Sequence, residues 1–409
     1  MLKRNIIDNL QESLDDTPVI LLNGPRQSGK STLVKSLIDG RFLQYITFDD
    51  MSAIAAAKIN PLAFIRSFKH PVIFDEVQHV EELFSAIKQM VDENRQPGRF
   101  VLTGSANIML LPKISESLAG RIEILSLWPF SQGEIIGKKE NFIDRIFSKE
   151  LSLTQQSVNN ENDLISRIVR GGYPEILQRK NDKRRYAWYE SYVNTILKRD
   201  IRNIADIQGL IDLPRLLQLL AARIGGLVNF SEISRSIGIP QTTLKRYMTM
   251  LQTVFLVQLI PAWLTNLSKR VVKSPKLVLC DTGLASYLLG ADENRFMMDR
   301  HLLGKMLENF VIMELIKQIS WNEKKPSIFH FRTQAGQEVD IVLEDRAGTI
   351  VGVEVKSSVN LSNKDISGLK ALQELAGKKF CRGVILYDGK NSYQLDKNIV
   401  AMPIDSLWS

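Results

Sequence analysis

The stretch Thr-Pro-Val-Ile-Leu-Leu-Asn-Gly-Pro-Arg-Gln-Ser-Gly-Lys-Ser-Thr, from Thr17 to Thr32, constrains the fold more than any other. An apolar β-type run, Val19 to Leu22, leads into Gly24-x-x-x-x-Gly29-Lys30-Ser31, and a helical pattern follows. That context separates a working phosphate loop from a chance match. Gly24, Pro25, Arg26, Gln27, Ser28, Gly29, Lys30, Ser31 and Thr32 are expected to wrap phosphates with backbone N–H groups. The following helix aims its positive end at the same place. Lys30 is expected to reach the β- and γ-phosphates of ATP, and the Ser31 hydroxyl to ligate Mg²⁺.

Further strands supply the rest of such a site. "LQYITFDD" ends in Asp49 and Asp50, read as turn residues that finish a strand. "PVIFDEVQ" places Asp75 at the end of a buried strand, where a Mg²⁺-holding carboxylate belongs, and Glu76 beside it to polarise the attacking water. "RFVLTGS" ends in Thr103, Gly104 and Ser105, polar groups suited to sensing a γ-phosphate, with Ser105 the expected nucleotide contact. Arg121 is a candidate finger for the phosphates of its own or a neighbouring subunit, with Arg95 and Arg99 competing for the role. Strands alternating with helical stretches imply right-handed βαβ units and a parallel sheet covered on both faces.

The 409 residues exceed one comfortable core, so several domains are expected. Cys280 and Cys381, the only cysteines, lack disulfide or zinc spacing, which fits a reducing cytoplasm. The N-terminus is charged throughout and the longest apolar stretch falls short of a membrane span. Net charge is +8, and residues 181–276 alone hold fifteen Lys/Arg against six Asp/Glu. One middle segment therefore carries the excess positive charge, as expected of a surface that meets an acidic polymer such as DNA.

Within that segment, "VNFSEISRSIGIPQTTLKRYMTML" reads as a helix-turn-helix. Ser231 is the expected cap of the first helix, Gly238 and Pro240 make the turn, and a second helix from Gln241 to Leu251 buries Leu244, Tyr247 or Met248, and Leu251. Thr242, Thr243, Lys245 and Arg246 then face outward near its start, the part that enters a major groove. "LSKRVVKSPK" places Lys269, Arg270, Lys273 and Lys276 in the expected wing. The competing reading makes the winged helix a packing element or a nucleotide-sensing lid. Aromatics at helical spacing in "RRYAWYESYVNTI" are expected in the core. The polar stretch from Glu134 to Asp163 is the expected boundary after the first domain.

"IFHFRTQAGQEVDIVLEDRAGTIVGVEVKSS" reads as three strands. If Asp345 to Thr349 is the last turn, Glu344 faces Ile350 and Asp340 lies opposite Glu354, with β-carbons about 5 Å apart. Such a pair repels unless it is protonated or bridged by a cation, which suits a second Mg²⁺ or a Mn²⁺. Lys356 shares the Glu354 face, and Glu308, on an upstream amphipathic helix, adds an acid. The plain alternative pairs Lys356 with Glu338 across the strands.

"GPRQSGKST", "VIFDEVQ", "FVLTGS", "LAGRIEILSLWPFS", "GGYPE", "LKRDI", "DTGL" and the EVD/EVK hairpin, in this order, resemble a prokaryotic AAA-type P-loop ATPase family with a C-terminal domain of unknown function. That resemblance implies ATP binding, with DNA transactions suspected. Glu308, Asp340, Glu354 and Lys356 take the motif positions of the PD-(D/E)xK nuclease superfamily, which that C-terminal domain resembles. The expected fold class is α/β: an AAA+ P-loop core with a parallel sheet over 1–135, a linker and helical lid over 136–205, a winged helix-turn-helix over 206–282 and a PD-(D/E)xK nuclease-like, restriction-endonuclease-like α/β domain over 283–409. Three functions compete: an ATP-hydrolysing DNA-binding protein, an ATP-regulated Mg²⁺-dependent DNA endonuclease, and a nucleotide switch for a protein partner. Homo-oligomers are compatible with a finger acting in trans.

Overall fold

The computed structural model describes residues 2–38, 44–69, 71–106, 118–153, 157, 161–201, 212–266, 270 and 273–409. Among these, β1 (Val19–Asn23), β2 (Gln44–Thr47), β3 (Val72–Asp75), β4 (Phe100–Gly104) and β5 (Ile122–Ser126) form a parallel sheet in the order β2-β3-β4-β1-β5. Every residue of β1, β3 and β4 is buried, because helices cover both faces. Val19, Leu21, Val72, Phe74, Phe100 and Leu102 enter one core. Their neighbours Ile20, Leu22, Ile73 and Val101 enter the opposite one, with Leu10 and Leu14 of the helix Ile7–Asp16. The C-terminal ends of β1, β3 and β4 thus meet along one edge. Asp50 lies past β2 as a helix cap, accepting the Ser52 N–H at 2.8 Å.

The expected polar boundary differs at its start. Glu134 and Glu140 are buried, because each satisfies backbone donors that a solvated linker would leave to water. Glu134 closes a capping box with Ser131 and accepts the Asn5 N–H at 2.7 Å, while Glu140 accepts the Gly133 N–H at 2.7 Å. Phe142, Ile143, Ile146 and Phe147 follow as core residues of a continuous apolar cluster that runs from Trp128 to Trp408. The middle and the C-terminal third therefore share one core. Trp188, Tyr189 and Tyr192 of the helix Asp182–Thr195 lie inside it, as their spacing suggests.

Helices Phe230–Ile237 and Gln241–Thr253 are followed by β6 (Val257–Ile260) and β7 (Lys276–Leu279), an antiparallel pair. Gly238, at φ 80°, ends the first helix. Its cap is Asn229, not Ser231, which lies within the first turn. After the long helix Arg300–Trp321 come β8 (Ser327–Arg332), β9 (Glu338–Glu344), β10 (Ile350–Lys356), β11 (Phe380–Tyr387), β12 (Tyr393–Asp396) and β13 (Ile399–Pro403). They form a mixed sheet in the order β12-β13-β11-β10-β9-β8. Glu344 pairs with Ile350 and Ile341 with Val353, the register read from the turn.

Candidate functional site

β1 delivers the phosphate loop and the helix Lys30–Lys35 carries it away. Gly24 has φ 146°, and a β-carbon there would lie 2.2 Å from the Leu127 carbonyl oxygen, so glycine is obligatory. Gly29, at φ 101°, turns the chain into the helix. The buried Ser28 hydroxyl has no partner among the described residues, an orphaned donor inside the cradle. That orphan, the left-handed turn and the helix start together fit a bound phosphate chain. Lys30 Nζ donates to the carbonyls of Gly24 (2.9 Å) and Pro25 (2.8 Å), so its ammonium lies under the loop.

Asp75 ends β3 and accepts hydrogen bonds from three hydroxyls, Ser31 at 3.1 Å, Thr103 and Tyr45. A serine hydroxyl beside a buried carboxylate is a donor set that fits Mg²⁺. Burial, with the Asp75 carboxylate close by, pushes the Tyr45 phenol well up, so Tyr45 stays a hydrogen donor. No motif marks Tyr45; the alternation of β2 alone aims it at the neighbouring strand's end.

Glu76 adopts φ 59°, a left-handed conformation that costs on the order of 1 kcal/mol and turns its carboxylate back along the sheet edge. Its N–H donates to Thr103 Oγ1 at 3.0 Å. Its carboxylate accepts from Gln78, whose amide also reaches Ser105 Oγ at 3.0 Å. Burial pushes the Glu76 carboxyl up, but Lys30, Gln78, Ser105 and Arg26 outweigh it and hold the group below the usual range. The geometry brings Lys30, Ser31, Asp75, Glu76 and Ser105 to one edge.

The three candidate finger arginines lie elsewhere. Arg121 precedes β5, whose first residue pairs with Val19, the start of β1. It therefore sits at the N-terminal edge of the sheet, about 16 Å of strand from the loop. There it grips Asp92, with Nε–Oδ1 at 2.5 Å. Arg95 donates to the Gly120 carbonyl, and Arg99 is buried against the Met90 and Asn94 carbonyls. None of them reaches the phosphate loop of its own chain.

The sequence does not reveal what holds the loop from outside. Arg4 donates to the Ser28 carbonyl at 3.2 Å and pairs with Glu134 at 3.3 Å. A cavity of about 530 Å³ opens beside Gly29 and Thr32, lined also by Arg4, Phe130 and Pro174. The Tyr192 hydroxyl donates to the Arg26 carbonyl at 3.2 Å and lies 2.8 Å from that of Tyr173. Tyr173 belongs to the "GGYPE" segment, whose Gly172 N–H donates to Asp281 at 2.8 Å. Asp281 also accepts the Tyr189 hydroxyl (2.9 Å) and caps the helix Thr282–Leu289 through the Leu284 N–H (2.9 Å). Two motifs with no evident chemistry thus form one joint.

In the C-terminal third, Asp340 and Glu354 lie just past the last paired residues, Ile341 and Val353, and the Asp340 N–H donates to the Glu354 carboxylate at 3.4 Å. The Val355 N–H donates to the Asp340 carboxylate at 2.9 Å, so the side chain replaces the backbone ladder there. Lys356 pairs with Glu354 at 2.9 Å and with Asp365 at 3.5 Å, not with Glu338. Burial and Asp340 push both Glu308 and Glu354 up, against the pull of Lys276 and Lys356 respectively. The cation among Glu308, Glu338 and Asp340 is Lys276. Among the described residues, no group of three or more His, Cys, Asp or Glu is arranged to hold a metal ion. The donors expected for a second Mg²⁺ or Mn²⁺ therefore do not fit one in this arrangement.

Lys276 is accordingly not a surface contact for DNA. It is fully buried, since an ammonium among three carboxylates needs no water. Arg270 is likewise engaged: it pairs with Glu344 at 2.6 Å, and its guanidinium lies 4.7 Å from the Phe329 ring centre. Ahead of the expected wing, the Trp263 backbone N–H donates to the His330 carbonyl of β8 at 2.6 Å. Lys269 lies outside the described residues. Thr242, Lys245, Arg246 and Lys273 are exposed and Thr243 is half-buried, while Leu244, Tyr247, Met248 and Leu251 are buried. No helix among the described residues is long and apolar enough to cross a membrane.

Residues 16–136 match a family described as an AAA domain. Residues 161–295 and 303–407 match two families described as domains of unknown function (DUF8612 and DUF4143). A Mycobacterium tuberculosis protein described only as uncharacterized is 29% identical over 408 residues, covering 99% of this chain and 84% of its own. A Haemophilus influenzae protein with the same description is 21% identical over 353 residues, 77% of this chain and 78% of its own. Among solved structures, the Thermotoga maritima RuvB Holliday junction branch migration motor aligns over 62% of this chain and 88% of its own, at 18% identity and a TM-score of 0.29. Residues 16–136 thus resemble an AAA domain in sequence, and they carry the five-stranded parallel sheet and phosphate loop typical of P-loop ATPases.

Proposed function

We propose that the protein hydrolyses ATP and binds DNA through the exposed face of the helix Gln241–Thr253, with nucleotide state altering that binding. The observation that carries the first half is the set Lys30, Ser31, Asp75 and Glu76 on one sheet edge. The loop N–H groups and Lys30 would hold the phosphates, and Ser31 with Asp75 would hold Mg²⁺. When bound, Mg²⁺ draws charge from the phosphate oxygens. Glu76, held ionised beside Lys30, orients a water and takes its proton. Gln78 and Ser105 fix the direction in which that carboxylate points.

Support for the second half lies in the joint between loop and helices. The Arg26 carbonyl, Tyr192 and Tyr173 form a continuous hydrogen-bonded line from the phosphate loop to the segment pinned by Asp281. A shift of the loop on nucleotide binding has a physical route to the helix-turn-helix behind that aspartate, which we read as a winged helix. The C-terminal third we read as a nuclease-like fold that contributes to binding. No cutting step is derived from it, because Lys276 fills its acidic cluster.

DNA binding is tested by titrating labelled duplex at several salt concentrations. Changing Lys245 and Arg246 together to Ala is expected to weaken binding and to reduce the slope of log K against log[salt] by about 2. An unchanged slope would remove this helix from the interface. Binding to no nucleic acid at all would favour the protein-partner switch.

A further inference from the structure

The acidic cluster of the C-terminal third already contains a cation, and it is supplied by another element of the chain. Lys276 stands at the start of β7, the second strand of the hairpin that follows the helix-turn-helix. Its side chain is 1% exposed, and its ammonium hydrogen-bonds Glu308 and lies 3.3 Å from Glu338 and 3.4 Å from Asp340. These carboxylates come from the helix Arg300–Trp321 and from β9. A buried ammonium costs several kcal/mol unless it is fully paired, and three carboxylates supply that pairing. Conversely, Glu308, Glu338, Asp340 and Glu354 could not share so small a volume without positive charge. Lys356 serves Glu354 from the other side at 2.9 Å.

The lysine is held by more than its charge. β7 is buried along its whole length, and the Leu277 N–H donates to the Gly226 carbonyl at 2.9 Å. On the far side of the hairpin, the His330 N–H donates to the Pro261 carbonyl at 2.9 Å, and Arg270 pairs with Glu344. The hairpin is thus seated against both the long helix and the sheet that carry the acids.

We propose that Lys276 is the resident cation of this cluster, occupying the place a divalent ion would take. The C-terminal third is then a metal-free module fastened to the winged helix, and it accepts Mg²⁺ or Mn²⁺ only when Lys276 is removed from the cluster. This rests on reading Glu308, Asp340, Glu354 and Lys356 as a nuclease-like constellation.

The test is Mn²⁺ binding to the full chain without nucleotide, followed by electron paramagnetic resonance, with Asp75→Asn throughout to silence the phosphate-loop site. With Lys276 intact, no ion is expected in the cluster. Lys276→Met is expected to gain one site, binding at least about tenfold tighter than any residual uptake, and Asp340→Asn added to it is expected to abolish that site. Mn²⁺ uptake with Lys276 intact, lost on Asp340→Asn, would overturn the resident lysine while leaving the nuclease-like reading standing. A folded Lys276→Met protein that takes no Mn²⁺ would overturn both. Should Lys276→Met fail to fold, Lys276→Arg decides, because it keeps the charge: no uptake supports the proposal, and uptake that depends on Asp340 sinks it.

Discussion

Glu76→Gln is expected to leave ATP binding intact and to slow phosphate release by about 100- to 10,000-fold, the range contributed by a positioned general base. The amide keeps the size of the carboxylate and can still meet Gln78 and Ser105, but it takes no proton. Lys30→Ala is expected to fail earlier, at binding, because the ammonium beneath Gly24 and Pro25 is the loop's fixed positive charge. Measuring nucleotide affinity and single-turnover hydrolysis on both variants separates the two roles. Hydrolysis by Glu76→Gln within about threefold of wild type would remove Glu76 from the chemistry.

The second large effect concerns stability. Asp281 is buried and its carboxylate serves the Gly172 N–H, the Tyr189 hydroxyl and the Leu284 N–H. Asp281→Ala leaves the Gly172 and Leu284 N–H groups short of partners in a core that water does not reach, while the Tyr189 hydroxyl keeps the Arg170 carbonyl at 3.0 Å, and the expected cost is about 2–5 kcal/mol. Tyr189→Phe removes one donor and leaves the acceptor otherwise served, so about 1 kcal/mol is expected. Urea unfolding of the full chain, followed by tryptophan fluorescence, ranks the variants. The joint is not a stability determinant if Asp281→Ala unfolds within 1 kcal/mol of wild type, a threshold of about one ordinary hydrogen bond.

What the sequence disclosed was whatever depends on near neighbours. The loop from Gly24 to Ser31 and the acids ending β3 are local patterns, and they meet because parallel strands place their ends together. The register of β9 against β10, from Glu344 with Ile350 to Ile341 with Val353, follows from a five-residue turn, so counting sufficed. The helix Gln241–Thr253 buries the residues its period assigns to the core. Charge proved a poorer guide. Lys276 and Arg270 add to a basic segment, yet their partners lie 32 to 74 residues further along the chain. Composition cannot distinguish a lysine in water from one inside a cage of acids. Nor could polarity distinguish Glu134 and Glu140 from solvated linker residues, because the donors they satisfy come from Asn5 and Gly133. Tyr192, 166 residues from Arg26, belongs to no motif at all.

The position of Arg95, Arg99 and Arg121 at the far edge of the parallel sheet has a kinetic consequence. A guanidinium that cannot reach its own chain's phosphates can act only on those of a neighbour. If hydrolysis draws on any of the three, turnover per chain becomes a function of protein concentration, rising as copies meet and levelling when every loop has a neighbour. Dilution would then silence hydrolysis without altering a single residue of the phosphate loop.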